Sequence, residues 1–322
     1  MGDVPAISVI IATRNRAPIL KKTLESFARL DLQAINTEFV VVDNNSSDTT
    51  KDVIESFLGK LPVRYLFEAR PGQNSARNRA LANVQLGRLV AFTDDDVEPR
   101  RDWLQVMRSA SDRWPKQSVF GGKIHPLWPS ADVPKWTGVK AIQGLCFTVQ
   151  DYGDTEQLYP PGKLPFSPNL WVRREVFNDG RRFDTAIGPK PGNYIMGSET
   201  FFLRQLVNDG YEIVYCPSAV VGHRVQPWQI SIRNVLKRAF RYGRSVAHFR
   251  LLAGKAFSTG HPVTRSIGGV AGAVWAACKF ALSIVLSLSS EKRILRAIGA
   301  LAALGYNVEL IQRARDTTPK PK

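Results

Sequence analysis

Cysteine is scarce in this 322-residue chain: Cys146, Cys216 and Cys278 lie far apart and form no CxxC pair. That excludes a disulfide scaffold and a cysteine-rich zinc site, and it suits a reducing compartment. Glycine is missing from the first strand–helix turn, Ala12-Thr13-Arg14-Asn15-Arg16, and no GxxxxGK[ST] loop occurs. Dinucleotide-dependent dehydrogenases and P-loop NTPases are excluded on those grounds. A secretory leader is not apparent either. Met1-Gly2-Asp3-Val4-Pro5 has no basic region, and the short apolar run Ala6–Ala12 reads as a buried strand. Ala6 stands where N-myristoylation needs Ser or Thr. Acidic residues are rare in one region only. From Ile213 to Lys322 there are 17 Lys and Arg against three acids, while the first 212 residues hold the remaining 27 basic and 25 acidic ones. A nearly neutral body thus carries a basic C-terminal third, which points to a local anionic partner surface.

What is present is ordinary for a globular chain, with 44% hydrophobic and 22% charged residues. The length suits one sizeable domain with an appendage, or two moderate domains. Val9-Ile10-Ile11 reads as a strand, followed by a helix on which Ile19, Leu20, Thr23, Leu24 and Phe27 share a face. Phe39–Val42 is a second strand, Thr49–Leu58 a helix, Val63–Phe67 a third strand, Ser75–Val84 a helix and Leu89–Thr93 a fourth strand. The alternation predicts a mostly parallel sheet covered on both faces, with ligands beyond the carboxyl ends of the strands. Three of those ends carry Thr13-Arg14-Asn15, Asp43-Asn44-Asn45 and Asp94-Asp95-Asp96, so polar groups converge on one rim. Residues 121–168, rich in Trp, Pro and Gly, read as a segment that wraps a site or forms a lid. Tyr211–Tyr215 and Ala219–Val221 read as short late strands.

Asp94-Asp95-Asp96 crowds carboxylates at a strand end, where a divalent cation would relieve their repulsion and complete its shell with phosphate oxygens. Solvated acids that cap the following helix are the plain alternative. Asp43–Asp48 is either a capped turn or a group that accepts from a nucleoside base or ribose. Arg77, after the loop at Gly72, is either a solvated basic face or an anion contact near a helix N-terminus.

Ile7–Arg16, Val40–Asp48, Gly72–Asn78, Asp94–Pro99 and Gly197–Leu206, in that order, resemble the inverting family 2 glycosyltransferases. The resemblance spans about residues 6–224. It implies a three-layer α/β/α nucleotide-diphospho-sugar transferase (GT-A, Rossmann-like) domain over residues 1–225, and the remaining residues 226–322 read from their own pattern as a helical membrane-associating region. It also implies a nucleoside site at Thr13, Arg14 and Asp43, with Asn45 and Asp48 shaping the loop and Gly72 and Arg77 lining the pocket. Asp94 and Asp95 are expected on the ribose side, and Asp96 on a Mg2+ or Mn2+ ion bound to the diphosphate. Glu199 is the expected general base, with Ser198 standing where the family has Glu. A first-turn acid serving the helix dipole is the other reading of Glu199. Asn169, Trp171 and Arg173 are expected along the donor-sugar and acceptor pocket, and His223 beside the metal, although a lone His is as often a structural hydrogen-bonder. The expected partners are a UDP-, GDP- or dTDP-linked sugar and a lipid-linked or glycan acceptor, with no nucleic acid.

In the basic third, Ile232–Arg250 is amphipathic. Ile232, Val235, Leu236, Ala239, Phe240, Gly243, Val246 and Ala247 fall in one sector, opposite Arg233, Lys237, Arg238, Arg241 and Arg244. It reads either as a helix on an anionic membrane or as one docked on protein. Ile267–Leu288, broken only by Lys279, and Ile294–Leu304 suggest an apolar hairpin in or on the bilayer, at the cytoplasmic face. Two competing classes remain in view: a sugar-nucleotide pyrophosphorylase, whose glycine-rich first turn is missing, and a basic nucleic-acid binder, which leaves Asp94–Asp96 unexplained.

Overall fold

The apolar runs become the strands of one sheet in the computed structural model, which describes residues 4–33, 35–83, 85–190, 194–252, 271–272, 274–275, 278 and 290–316. In chain order the first half comprises β1 (Ile7–Thr13), α1 (Ala17–Phe27), β2 (Thr37–Asp43), α2 (Thr50–Glu55), β3 (Val63–Phe67), α3 (Gln73–Asn83), β4 (Leu89–Thr93), β5 (Val97–Pro99) and α4 (Trp103–Arg113). The second half comprises β6 (Val119–Leu127), α5 (Lys140–Cys146), β7 (Gln157–Leu158), β8 (Leu170–Arg173), α6 (Ser198–Asn208), β9 (Ile213–Arg224), α7 (Ile232–Leu252) and α8 (Ser290–Asp316).

The strand order is β3-β2-β1-β4-β8-β6-β9-β5, with β7 also paired to β9. Strands β3, β2, β1 and β4 are parallel, β8 is antiparallel to both β4 and β6, and β6 runs parallel to β9. The sheet is therefore mixed, with its parallel half at the N-terminal side.

Alternate residues of the central strands feed two cores. Ile7, Val9, Ile11, Phe39 and Val41 pack with Leu20, Leu24 and Phe27 of α1, Ile54 of α2 and Trp103, Leu104 and Met107 of α4. Ile10, Val40, Val42, Val90 and Phe92 pack with Ala76 and Ala80 of α3 and Phe202, Leu203 and Leu206 of α6. Helices on both faces make three layers, because strands apolar on both sides must be covered twice. Phe27 stacks on Phe39 at 5.1 Å and on Trp103 at 6.2 Å, tying α1 and α4 to β2. Each such side chain, once buried, contributes about 1.5–3 kcal/mol.

Two expectations change. The segment beginning at Gly121 opens not as a lid but as β6, inside the sheet. A Cβ on Gly122 would collide with the Ala219 carbonyl and the Asn169 amide, and one on Gly121 with Tyr159 and Pro165. Glycine stands there because neighbouring groups approach closely, and it erases the β-branched signal. The two late strands are one, β9, whose pairing with β6 jumps from Gly122–Cys216 to Lys123–Val220. The irregularity absorbs Pro217, Ser218 and Ala219, the first two of which broke the pattern in sequence.

The chain divides into two compact units: Met1–Leu127 with Thr148–Asn193 and Ser198–Val225, and Trp128–Phe147 with Tyr194–Gly197 and Gln226–Lys322. In the second unit α7 packs on α8. Phe240 meets Gly305, Arg244 meets Glu309 and His248 meets Arg313, so the two helices run in the same direction. A side chain at Gly243 would strike the Ala302 carbonyl, and one at Gly305 the Phe240 carbonyl. Val235, Ala239 and Ala247 are buried. The apolar stripe of α7 is thus largely enclosed by protein from Val235 onward, while Ile232 at its start is exposed. Its cationic side is also partly engaged: Arg238 donates to Leu145 O at 2.9 Å, Arg241 lies over the Tyr194 ring and Arg244 pairs with Glu309 at 2.7 Å. Arg233 and Lys237 are exposed. The stretch Ile267–Leu288 lies outside the described residues except at 271–272, 274–275 and 278. Ile294–Leu304 is part of α8, which across Glu291–Arg313 is long and apolar enough to cross a membrane by length and composition.

Candidate active site at the strand ends

The carboxyl ends of β1, β2 and β4 lie side by side in register, Thr13 opposite Asp43 and Ile11 opposite Thr93. The loops that continue them therefore meet. Asn15 and Asn45 adopt left-handed backbones (φ 52° and 60°), which Asn tolerates better than most residues. Asn15 Oδ1 accepts from the Ser47 N–H at 2.7 Å, latching the two loops together.

Asp95 and Asp96 are buried at the start of the turn after β4, and Asp94 is half-buried. Thr13 Oγ1 donates to Asp95 Oδ2 at 2.7 Å. Arg16 forks across the pair, with Nη1 at 2.5 Å from Asp95 Oδ1 and Nη2 at 2.7 Å from Asp96 Oδ2. His223 Nε2, delivered by β9 next to Val97 of β5, lies 3.4 Å from Asp96 Oδ1. Ser167 Oγ donates to Asp94 Oδ1 at 2.9 Å and Gln73 Nε2 to the same oxygen at 3.3 Å.

The electrostatics follow from burial and neighbours. Burial raises the Asp94 and Asp95 carboxyls, with the Asp96 charge adding to both; Arg77 opposes the rise at Asp94 and Arg16 opposes it at Asp95. Burial would raise Asp96 as well, but His223 and Arg16 outweigh it and hold that carboxyl well below the usual range. Burial would lower the Arg16 guanidinium, yet Asp95 and Asp96 hold it above its ordinary value.

Whether these residues suit a divalent cation can be tested on the donor set. Asp96 Oδ1 is buried, and among the described residues His223 Nε2 at 3.4 Å is its polar neighbour, with no shorter hydrogen bond. Among the described residues no group of three or more His, Cys, Asp or Glu side chains converges on one point. The protein could therefore offer Asp96, with His223 beside it, and leave most of the shell to phosphate oxygens and water. Magnesium and manganese in nucleotide sites are held in that manner, so the residues fit such an ion.

The other expected residues separate into those on the rim and those beneath it. Asp43 is buried and accepts from the Ser46 N–H at 2.9 Å and the Tyr65 hydroxyl at 3.2 Å. Arg14 has a buried Nη1 with no acceptor among the described residues. Gly72 (φ 132°) donates its N–H to Asn44 Oδ1 at 2.7 Å, a backbone conformation that favours glycine. Asn45 is exposed in its turn, and both Asp48 oxygens are taken, Oδ2 by Ala17 N–H at 3.1 Å and Oδ1 by Thr50. These two shape the loop and the start of α1.

Arg77 is not on the rim. Its side chain is 2% exposed, lies over the Phe183 ring and donates to Ser167 Oγ and Ser198 Oγ, with Asp94 Oδ1 3.7 Å away. Ser198 Oγ in turn donates to Glu199 Oε2 at 3.2 Å. Burial lowers the Arg77 guanidinium, opposed by Asp94 and Glu199.

Asn169, Trp171 and Arg173 do not line an open pocket. Asn169 is fully buried, donates to Lys123 O and Ala219 O, and accepts from Trp103 Nε1. Trp171 stacks on Phe120 in the core, its indole N–H on Ser111 Oγ. Arg173 donates to the carbonyls of Gln117, Ser111 and Trp114. Alternation along β8 sends these groups into the protein, and their polar atoms are engaged there.

Sequence reasoning passed over Arg16, Asn44 and the hydroxyl of Ser167. Arg16 had one available signal: three adjacent carboxylates need nearby cations, and it is one of two arginines in the first turn.

Comparison with known proteins identifies the family. The Glycosyl transferase family 2 profile matches residues 8–179, more than half of the chain. Glycosyltransferase AglE of Haloferax volcanii is 26% identical over 245 residues, covering 76% of this chain and 73% of AglE. A GalNAc(5)-diNAcBac-PP-undecaprenol beta-1,3-glucosyltransferase of Campylobacter jejuni is 34% identical over 98 residues, covering 30% of this chain and 31% of that one. Validoxylamine A glucosyltransferase of Streptomyces hygroscopicus is 38% identical over 111 residues, 34% of this chain, and the match spans only 26% of that relative's length. The solved mannosyltransferase PcManGT of Pyrobaculum calidifontis, in complex with GDP-Man and Mn2+, shares the fold with a TM-score of 0.62 at 19% identity, over 97% of this chain and 88% of that one. The family's own profile runs from β1 through β8 and takes in the strand-end acidic rim, and it shows that the chain belongs to glycosyl transferase family 2 and is a glycosyltransferase.

Proposed function

We propose that the chain moves a sugar from a nucleoside-diphosphate donor to a hydroxyl of a lipid-linked or polysaccharide acceptor, with inversion at the anomeric carbon. The observation that carries this reading is the buried Asp96 carboxylate among Arg16, His223 and the Asp94–Asp95 pair, with a hydrogen-bonded chain from Asp94 through Ser167, Arg77 and Ser198 to Glu199.

Asp43 keeps lone-pair capacity for a base N–H, and the buried Nη1 of Arg14 needs an acceptor that a nucleoside or phosphate oxygen would supply. Asp94 and Asp95, with carboxyls raised by burial, suit ribose hydroxyls. Asp96 and His223 would hold a magnesium or manganese ion, which when bound would offset charge on the departing diphosphate. Glu199 stands at the first turn of α6 and would take the acceptor proton through its carboxylate while the acceptor oxygen attacks from the opposite face. Among the described residues Ser198 donates to Oε2, and Oε1 would take that proton. Arg77 and Ser198 orient this carboxylate from below.

The C. jejuni relative's name carries an undecaprenol-linked acceptor, which supports a lipid-linked acceptor here. Membrane association at the cytoplasmic face is supported in the second unit by exposed Trp228 (63%) and Ile232 (49%) beside exposed Arg233 and Lys237, and by the apolar α8.

Calorimetric titration with UDP, GDP, dTDP and CDP, each with and without Mn2+, tests the donor site. One nucleotide should bind more tightly with metal, and Asp96→Ala should abolish that dependence. Glu199→Gln should bind the same nucleotide normally and lose transfer by about a hundredfold or more. No binding of any nucleotide under either condition would sink the reading.

A further inference from the structure

Arg16 lies three residues beyond β1, yet its guanidinium spans two carboxylates on the turn after β4. The carboxylates of Asp95 and Asp96 are 4% and 6% exposed, whereas the Arg16 side chain is 33% exposed. The cation thus reaches the pair from the solvent side, over the oxygens that a metal-bound diphosphate would need. A planar fork that engages two carboxylates at once is a geometry Lys cannot copy.

Charge counting gives this contact a consequence. Asp94, Asp95 and Asp96 are opposed by Arg77 at Asp94, by Arg16 at the other two and by His223 at Asp96. The cluster is close to balanced before any ion arrives, with Asp96 Oδ2 held by Arg16 and Oδ1 facing His223 Nε2 at 3.4 Å. A bare divalent cation gains little from a nearly neutral site and must displace a charge-assisted bond to use both oxygens of Asp96. The same cation carried on a diphosphate brings compensating negative charge. It also offers Arg16 phosphate oxygens in exchange for the carboxylates, and a one-third exposed side chain is free to turn toward them.

We propose that Arg16 is the resident counter-ion of Asp95 and Asp96, which blocks metal binding until the donor's diphosphate takes over its fork, so that cation and nucleotide bind only together. The inference rests on the metal-assisted donor site proposed above and adds to it an order of binding. Arg16 acts in it both as a competitor of the cation and as a diphosphate clamp.

The test is a Mn2+ titration of the full chain followed by electron paramagnetic resonance, with no nucleotide and with saturating GDP or UDP. The wild type should bind Mn2+ alone at least tenfold more weakly than with the nucleoside diphosphate. Arg16→Gln should bind Mn2+ alone about tenfold more tightly than the wild type and lose most of the dependence on nucleotide. Arg16→Lys, which keeps the charge but cannot bridge two carboxylates, should fall between them and keeps the test open if the Gln variant does not fold. Equal Mn2+ affinity of wild type and variants without nucleotide would overturn the proposal, as would a wild type that binds Mn2+ equally with and without a nucleotide that does bind. Failure of any nucleoside diphosphate to bind with Mn2+ would instead overturn the donor site itself, and this inference with it.

Discussion

Arg77 donates through Nη1 to Ser198 Oγ at 3.1 Å, joining the helix after the glycine loop to the helix that carries Glu199. The same guanidinium reaches Ser167, whose hydroxyl donates to Asp94. One buried charge therefore sits behind both the proposed base and the first carboxylate of the rim.

Arg77→Lys should lower turnover by roughly ten- to a hundredfold while changing nucleotide affinity little, because Lys keeps the charge and loses the fork. Steady-state kinetics beside calorimetry would show it. A parallel loss in nucleotide affinity would mean that the guanidinium touches the donor after all. Ser198→Ala should show a milder form of the same split.

Asn44 holds the loop at Gly72 from both sides, accepting from the Gly72 N–H and donating to Glu68 O and Arg70 O. Asn44→Asp keeps the acceptor but turns the donor into a carboxylate facing two carbonyls. It should cost about 1–3 kcal/mol of stability and weaken nucleotide binding through the loosened loop. Thermal unfolding and nucleotide titration of the same variant give both numbers, and an unchanged pair would refute the role.

Arg173 offers the opposite profile. Arg173→Ala leaves three carbonyls short of a donor and should lower stability by about 1–3 kcal/mol. Activity per folded molecule should stay at the wild-type level at a temperature well below the transition. A selective rise in KM for donor or acceptor would return Arg173 to the pocket.

In the second unit, Glu309 is buried against Arg244, Arg313 and His248. Burial would raise its carboxyl, but these partners prevail and push it down to about 2 from 4.5. A depressed carboxyl contributes stability above its unfolded value and loses it as pH falls through its folded value. Glu309→Gln should therefore be less stable than the wild type by about 2–3 kcal/mol at pH 6–7. That gap should close as pH falls from 4.5 toward 2. Melting curves at a series of pH values check it, and a gap that stays constant with pH would contradict the assignment.

Much of the parallel half of the sheet is legible in the chain. Val63–Phe67 and Leu89–Thr93 are strands with the expected bounds, since each is a short apolar run closed by a polar turn. The middle was not legible. Gly121 and Gly122 carry no side-chain pattern, and only the close approach of Asn169, Ala219, Tyr159 and Pro165 makes glycine the residue that fits β6. Along α7 the amphipathic pattern was clear, but an oily stripe does not say what covers it. Here α8, more than fifty residues further on, supplies the cover.

At the site the division is equally physical. Strand period and strand-end chemistry, both local, place Thr13, Asp43 and Asp94–Asp96 on one rim before any coordinates exist. Which of the neighbouring charges faces that rim is a matter of long-range approach. Arg16 crosses from β1 to the β4 turn, Arg77 is walled in by Phe183 and Ser167, and β8 turns Trp171 and Arg173 inward. Local sequence determined the fold class and the acidic rim, because hydrophobic period and turn composition are properties of neighbours along the chain. The tertiary structure alone decided which cations serve that rim, because the partners of a buried charge are brought together only when distant segments pack.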